Sequence, residues 1–402
     1  MSRTHALAAA LIIAAFIGAG TVSAQESNLV PDASANRQAP AGWSFTPSLT
    51  YGASWDDNVL VRGNGDAKVS DFLNVLSPRA ALDLNGRRGQ LSATYDGAFL
   101  MYRDRSALDS YDQHSSFFGR RLLTPHLAVF ARNNAASVPT TELSQFIGTP
   151  FIRTGSRLDD LRTGIEAAFT KRTSIVASYD FQWVQFDHTA AGSESLFGGH
   201  SHGGSMTLTH LLTERLALTA AADLQHATIG AGAQTFDVQN FRAGGDYKLS
   251  GLTHVFAEAG ISRLGVTPLS EARIGPAVRL GFARQLRSAG IDVIYSRSFV
   301  PSYGFGGTMQ NEEASARFRL PLSRRAYSTS ALSWRRNDPL TAGELPLRSY
   351  WLEGTLGYAI TPWVHLELFY GGTRQTIDRP GGTLDRNRIG FQLTTAKPVR
   401  VQ

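Results

Sequence analysis

The sequence predicts an all-β protein: a transmembrane antiparallel up-and-down β-barrel of about 18 strands, with 16 strands as the alternative. Three observations predict it. Apolar and polar residues alternate with a period of two through most of the chain, no convincing helix interrupts that alternation, and short connections alternate with long ones. The chain has 402 residues, 42% of them hydrophobic, and a mean hydropathy of −0.15. This length suits one large barrel, and the composition does not indicate a helical membrane protein.

The N-terminus has the pattern of a secretory signal peptide. An apolar run, Ala6–Val22, follows Arg3 and ends in small residues, so we expect residues 1–24 to be removed by cleavage after Ala24. An uncleaved anchor is the alternative, but the run is short for a membrane span. Residues 25–42 are mostly polar and predict a flexible periplasmic lead-in.

The segment Leu91–Met101 shows the alternation most clearly. Its odd positions are apolar, aromatic or small, whereas its even positions include Thr94 and Asp96. Successive side chains of a strand point to opposite faces, so one face of this segment is apolar and the other polar. In a membrane barrel, Tyr95 should face lipid and Asp96 should face the lumen.

Similar strands are expected from Trp43 onward, which predicts a barrel over residues 43–396 and a C-terminal tail over residues 397–402. Short turns, such as Asn85–Arg88, should face the periplasm, and long links, such as Pro139–Ser156, should face outside. Closure follows physically, because in lipid every backbone donor and acceptor must be paired within the protein. The six tryptophans lie near predicted strand ends, where an interfacial girdle would sit. A soluble all-β secreted protein is the alternative.

The N-terminal third resembles a known family. The segments TYGASWDDNV, VSDFLNVLSPRAAL and LSATYDGAFLMYRDR, and within them Asp56-Asp57-Asn58, Ser70-Asp71-Phe72 and Ser77-Pro78, are similar to the beta-barrel porin 2 family of bacterial outer-membrane barrels. The likeness covers about residues 43–105, and the rest of the chain matches only in its succession of strands with alternating short and long connections. It implies an outer-membrane pore associated with exopolysaccharide export, and it brings no catalytic residues.

The expected location is therefore the outer membrane of a Gram-negative bacterium. The expected partners are outer-membrane lipid and lipopolysaccharide, together with an anionic polysaccharide and periplasmic export components. The net charge of +6 and the pI of about 9.6 favour an acidic partner, and export argues against nucleic acid. A structural or adhesive barrel that acts through its long loops is the second hypothesis, and an outer-membrane hydrolase is the third.

Charged side chains in phase with the polar faces are candidates to line the lumen. The six singled out are Arg79, Arg279, Arg317, Arg319, Glu353 and Glu367. Basic and acidic positions occur in similar numbers, which predicts structural ion pairs along the wall. The sharper hypothesis is a ladder of Arg279, Arg317 and Arg319 that attracts anions.

Metal and catalytic chemistry have weaker support. His188, Glu194, His200 and His202 lie close in sequence, but their spacing matches no compact metal site. The Asp56-Asp57-Asn58 cluster fits either a calcium site or a plain strand-to-loop turn. The sequence shows no coherent set of nucleophile, base or paired carboxylates. We therefore expect a chain without cofactor or metal that is not an enzyme.

Overall fold

The computed structural model describes residues 42–63, 65–141, 149–187, 196–230, 234–265, 271–286, 289–304, 306–340, 345–378 and 382–401. The predicted signal peptide and most of the predicted lead-in lie outside these residues. Eighteen long strands and one short strand form the fold: β1 (Gly42–Asp56), β2 (Asp71–Asn85), β3 (Gly89–Tyr102), β4 (Ser110–Thr124), β5 (Leu127–Val138), β6 (Ser156–Ala168), β7 (Thr173–Phe186), β8 (Gly199–Leu211), β9 (Leu216–Ile229), β10 (Gln234–Ser250), β11 (Thr253–Leu264), β12 (Arg273–Gln285), β13 (Gly290–Ser302), β14 (Gly307–Pro321), β15 (Ala326–Pro339), β16 (Leu347–Thr361), β17 (Val364–Ile377), β18 (Thr383–Ala396) and β19 (Val399–Val401). A single-turn 3-10 helix covers Ser106–Leu108.

The sheet is a closed antiparallel barrel, as predicted. From β1 to β18, each strand pairs with the next along the chain, and β1 also pairs with β18, which closes the barrel. The short β19 pairs with the start of β1, from Trp43↔Val401 to Phe45↔Val399. The segment predicted as a C-terminal tail therefore contains a short strand that extends the last edge of the wall.

The outer surface of the wall is apolar. In β3, Tyr95 is 42% exposed and Phe99 is 45% exposed, whereas Asp96 lies on the other face and forms an ion pair with Arg79 across the strand pair. Large exposed apolar side chains recur in this phase around the barrel. A closed antiparallel barrel with an apolar outer band is the architecture of the bacterial outer membrane. No helix among the described residues is long and apolar enough to cross a membrane.

The Asp56-Asp57-Asn58 cluster joins the first strand to the last. Arg386 on β18 donates to Asp56, with a closest N–O distance of 2.5 Å, and both side chains are buried. Asn387 donates to Asp57 through its backbone N (2.6 Å) and its side-chain amide (2.8 Å). Asn58 donates to the carbonyl of Asp385. The cluster is thus an Arg-paired barrel-closing contact, and no group of three or more metal-ligating side chains occurs among the described residues.

The wall is not paired along its full height between β12 and β13. Their ladder ends at Val278↔Arg297, although β12 stays paired with β11 up to Arg273 and β13 stays paired with β14 up to Ser302. Pro276 and Pro301 lie in these free edges, where a missing N–H interrupts no ladder. Above this point the tip of the β13–β14 hairpin, Ser298–Gly304 and Gly306–Thr308, leans into the barrel.

Three details differ from the sequence predictions. The links after β9 and β13 are short because the flanking strands continue into them. Trp351 does not belong to an interfacial girdle, since its side chain faces the lumen and is 6% exposed. The links after β1, β5 and β13 lie at the outer end of the barrel, as predicted for long links, but parts of them fold into the lumen.

Candidate functional site: the barrel lumen and its outer closure

The inner wall carries charged side chains, and six arginines among them are paired with carboxylates from nearby strands. The pairs are Arg79–Asp96 (3.2 Å), Arg120–Glu166 (2.6 Å), Arg242–Asp223 (2.7 Å), Arg335–Glu313 (3.1 Å), Arg386–Asp56 (2.5 Å) and Arg162–Asp180. Alternation turns these residues inward because the apolar residues between them must face lipid. Each pair joins two adjacent strands, except Arg120–Glu166, which reaches across β5 from β4 to β6. Within each pair the two charges balance.

The three arginines of the predicted ladder lie on β12 and β14, with β13 between them. Arg279 is opposite Glu258 in register, and its guanidinium carbon lies 4.9 Å from the Phe256 ring centroid. Arg317 is opposite Asp292. Arg317 and Arg319 are both exposed on the inner face. The ladder stays a prediction, and the register gives each of its first two arginines an acidic neighbour.

The two predicted lumen carboxylates differ in their surroundings. Glu353 on β16 is half-buried and is opposite glycine on β17, so space is open beside it. Glu367 on β17 is only 2% exposed and accepts hydrogen bonds from Tyr327 and Gln392. Glu367 is therefore a structural link between β15, β17 and β18, whereas Glu353 borders open space on the inner wall.

The outer end of the lumen is filled by chain from three connections. The first is a segment of the β5–β6 link, Thr149–Thr154, which we call the cap. Gln375 on β17 holds it with both ends of its side-chain amide: Phe151 N donates to Gln375 Oε1 (2.6 Å), and Gln375 Nε2 donates to Thr149 O (3.2 Å). The Phe151 ring packs on Trp351, with ring centroids 5.4 Å apart. The cap thus reaches from β5–β6 across much of the bore to β16–β17.

Arg153 fastens the other side of the cap. Its guanidinium donates to Leu108 O (2.6 Å), Val59 O (3.1 Å) and Tyr102 Oη (3.3 Å), and it lies over the Tyr102 ring. Two of the acceptors are backbone carbonyls of the β1–β2 and β3–β4 links. One half-buried arginine therefore joins its own link to two other outer links in one closure.

The second contribution is the turn Asn58–Arg62 in the β1–β2 link. Asn58 Nδ2 donates to Arg62 O (2.8 Å), and Arg62 N donates back to Asn58 Oδ1 (3.0 Å). Val61 has a φ of 53°, which costs energy for a β-branched residue. It is held there by burial against Phe151, Trp351 and Leu384.

The third contribution is the hairpin tip of β13–β14. Phe299 N donates to Ser262 Oγ on β11 (3.2 Å), and the Phe299 ring lies so close to β12 that a Cβ on Gly275 would be 2.5 Å from it. Tyr303 donates to Ser201 Oγ (3.2 Å). Burial raises the pKa of Tyr303 from its usual value of 10.0 to about 12, so this donor keeps its proton in moderately alkaline solution as well.

The tip packs on a buried apolar cluster on the inner wall. Besides Phe299 and Tyr303 the cluster contains Leu158, Val184, Phe186, Ala227, Ile229, Phe236, Val238, Leu264 and Leu340. These side chains face inward at the outer ends of their strands, where a water-filled bore would need polar groups. Their burial stabilises the inward position of the hairpin tip.

Several of the site residues escape prediction from the sequence. Asp56 and Arg386 are far apart in the chain, and Arg153 lies in a polar link with no periodic pattern. Phe299 is different, because the sequence contains a signal for it. Its odd position predicts a lipid-facing side chain, but Pro301, two residues later, indicates that the strand does not continue as ordinary wall. Prolines in a predicted wall strand indicate a free edge and could have marked this departure.

The histidines of the β7–β8 region face outward. His188 and Glu194 lie outside the described residues. The His202 ring is 5.4 Å from that of His200, and His202 Nδ1 is 2.6 Å from the hydroxyl of Tyr179. They form an aromatic patch on the outer surface of the barrel rather than part of the lumen.

Comparisons with known proteins concern architecture alone. No family model matches the sequence, so membership of the beta-barrel porin 2 family stays a prediction. No curated protein sequence matches it either. The fold is similar to OccAB4 of Acinetobacter baumannii, with 8% identity, a TM-score of 0.47 and coverage of 90% of this chain and 100% of that chain. It is also similar to OpdO of Pseudomonas aeruginosa (11% identity, TM-score 0.45, coverage 89% and 98%) and to the siderophore receptor PirA of the same species (10%, 0.42, 89% and 81%).

Proposed function

We propose that the chain is an outer-membrane channel for a hydrophilic solute and that its outer end is closed in the conformation described here. The observation that supports this is the contrast between the two faces of the wall. The outer face is apolar, whereas the inner face carries arginine–carboxylate pairs from β2 to β18. Charged side chains are costly inside a membrane protein unless they line a water-filled space or are paired.

The paired charges favour a solute with little net charge. A strongly cationic lumen would concentrate anions, but here Arg242 lies between Asp223 and Glu258. Export of an exopolysaccharide is the finer proposal, and it comes from the family resemblance. The partners that the resemblance implies are an anionic polysaccharide and periplasmic export components, whereas the paired charges of the lumen favour a polysaccharide with little net charge.

A structural or adhesive barrel is the second candidate, and the filled outer end favours it. Cap, turn and hairpin tip all have buried contacts, such as Thr149 Oγ1 donating to Tyr303 O (2.8 Å). If this closure never opens, the barrel can act only through its outer surface. The two candidates therefore differ in whether the closure is a gate.

Swelling of proteoliposomes in neutral sugars tests the proposal. We expect slow swelling with the native chain and faster swelling with Arg153→Ala, which removes the contacts from the cap to the β1–β2 and β3–β4 links. The matched control is Arg157→Ala, because Arg157 is exposed and lies 3.8 Å from Asp187 outside the lumen. Equally impermeable liposomes with all three folded proteins would contradict the channel and favour the structural barrel.

A further inference from the structure

One patch of the inner wall, which meets the cap at Trp351, has more polar groups than its own contacts satisfy. It lies on three neighbouring strands, β14, β15 and β16. Asn311 and Asn337 are directly opposite each other in register, and Ser333 is directly opposite Trp351. All four side chains face the lumen, by the alternation that turns Leu332 and Leu352 outward.

Each of these four side chains has a buried polar atom without a hydrogen-bond partner among the described residues. The atoms are Asn311 Oδ1, Ser333 Oγ, Asn337 Oδ1 and Trp351 Nε1. The exposure of Asn311 is 5%, that of Asn337 is 2% and that of Trp351 is 6%. Buried polar groups in folded proteins are nearly always hydrogen-bonded, so several unsatisfied atoms on one patch indicate a missing partner.

The charges of this patch are balanced. Arg335, which lies between Ser333 and Asn337 on β15, is 3% exposed. It bonds to Glu313 (3.1 Å) and lies over the Trp351 ring, with its guanidinium carbon 5.2 Å from the ring centroid. A cationic ligand would meet this guanidinium, and an anionic ligand would meet Glu313, so the patch favours an uncharged partner.

The unsatisfied atoms define the chemistry of that partner. The two asparagine oxygens only accept hydrogen bonds, the Trp351 N–H only donates, and the Ser333 hydroxyl can do either. A carboxylate or phosphate would offer no donor to the asparagines. Hydroxyl groups donate and accept at once, and the patch is about 10 Å wide across its three strands. This width fits one or two sugar rings.

We propose that this patch is a binding subsite for a neutral, hydroxyl-rich solute, namely a saccharide unit, and that the cap covers it in the closed barrel. The inference rests on the proposed channel and names the solute class that would move through it. Phe151 lies on Trp351, and Gln375, which holds Phe151, also donates to Ser349 on β16 (3.1 Å). Cap and saccharide therefore compete for the same wall, and displacement of the cap exposes the subsite.

Equilibrium dialysis of radiolabelled maltohexaose against the full chain in lipid nanodiscs tests the subsite. In Gln375→Ala, which releases the cap, we expect tighter binding than in the native chain. Adding Trp351→Phe, which keeps a ring but removes the N–H, or Asn337→Leu should weaken binding about tenfold, as expected for one lost hydrogen bond. The matched control is Asn134→Leu, because Asn134 faces the lumen on β5 outside the patch, and it should leave binding unchanged.

The outcomes separate this inference from the proposed channel. If proteoliposomes with Gln375→Ala swell in sugars although the variant does not bind maltohexaose, the channel stands and the subsite is refuted. The same holds if they swell although adding Trp351→Phe or Asn337→Leu leaves the binding of maltohexaose unchanged. If Gln375→Ala binds maltohexaose and each added substitution weakens that binding as expected, but its proteoliposomes never swell, the subsite stands and the channel is refuted. Tighter binding of an oligogalacturonate of the same length would refute the neutral class. Heat-modifiable migration on gels confirms that each variant is folded.

Discussion

The barrel-closing pair Asp56–Arg386 gives the sharpest test of the fold. Asp56 is fully buried, Arg386 is 4% exposed, and two guanidinium nitrogens lie within 3.0 Å of one carboxylate oxygen. Asp56→Asn keeps an oxygen that can accept the Asn58 N–H but leaves the arginine buried without its counter-charge. Removing one partner of such a pair costs about 3–5 kcal/mol. The unfolding equilibrium should therefore shift by a factor of about one hundred to several thousand.

The assay is urea unfolding of the folded barrel in lipid, followed by tryptophan fluorescence and by migration on gels. The double variant Asp56→Leu with Arg386→Leu replaces the pair by apolar side chains, so it should recover most or all of the lost stability. Arg374→Ala is the matched control, because its pair with Asp385 is exposed (59% and 30% of the side chains) and contributes at most about 1 kcal/mol. A single variant within about 1 kcal/mol of the native chain, or a double variant as unstable as the single one, would refute the reasoning.

Three further predictions concern the wall, the tip and the free edge. Tyr95→Arg should block assembly in liposomes, since an arginine on the lipid face near mid-membrane costs about 2–4 kcal/mol. Asp96→Asn, on the inner face, should assemble. Assembly of Tyr95→Arg together with failure of Asp96→Asn would mean that the two faces of β3 are reversed. The pKa of Tyr303 is raised from its usual value of 10.0 to about 12, so the inward tip is fully stable below pH 10 and loses stability as pH rises from 10 to 12. Sugar permeability should rise over that range, and Tyr303→Phe should remove this dependence. The double variant Pro276→Val with Pro301→Val restores two backbone N–H groups at the free edges, so β12 and β13 should pair over a greater length. Slower amide hydrogen exchange in both strands would report that longer ladder. Unchanged exchange would show that the prolines do not keep the edges apart.

Much of the wall could be predicted because membrane barrels obey a simple rule. A residue such as Tyr95 is apolar because it faces lipid, and Asp96 is polar because it does not, so the period of two fixes both faces. The same rule gave the lumen positions of Arg79, Arg279 and Glu367. Even the segments over β6 and β15, where the alternation is weak, became ordinary strands because both neighbours impose the register.

The outer closure could not be predicted in this way. Its contacts join residues far apart in sequence: Arg153 to Leu108, and Gln375 to Phe151. No periodic pattern encodes such contacts, because a link has no fixed face. Phe299 shows the limit of the rule itself, since it occupies a lipid-facing position in sequence but the strand leaves the wall before reaching it. Alternation predicts the face of a side chain only while its strand remains in the sheet.

The central claim is that a polar bore exists behind a closure that can open, and single-channel recording in planar bilayers tests it most directly. Gln375→Ala leaves Phe151 N and Thr149 O without their partner, and each unsatisfied buried group costs about 1–3 kcal/mol. The closed state should lose about 2–6 kcal/mol in total, which raises the open-to-closed ratio at least about thirtyfold. We predict rare openings of the native chain and frequent openings of Gln375→Ala with the same unitary conductance. Folded barrels that stay equally silent, or that conduct equally without the substitution, would contradict the claim.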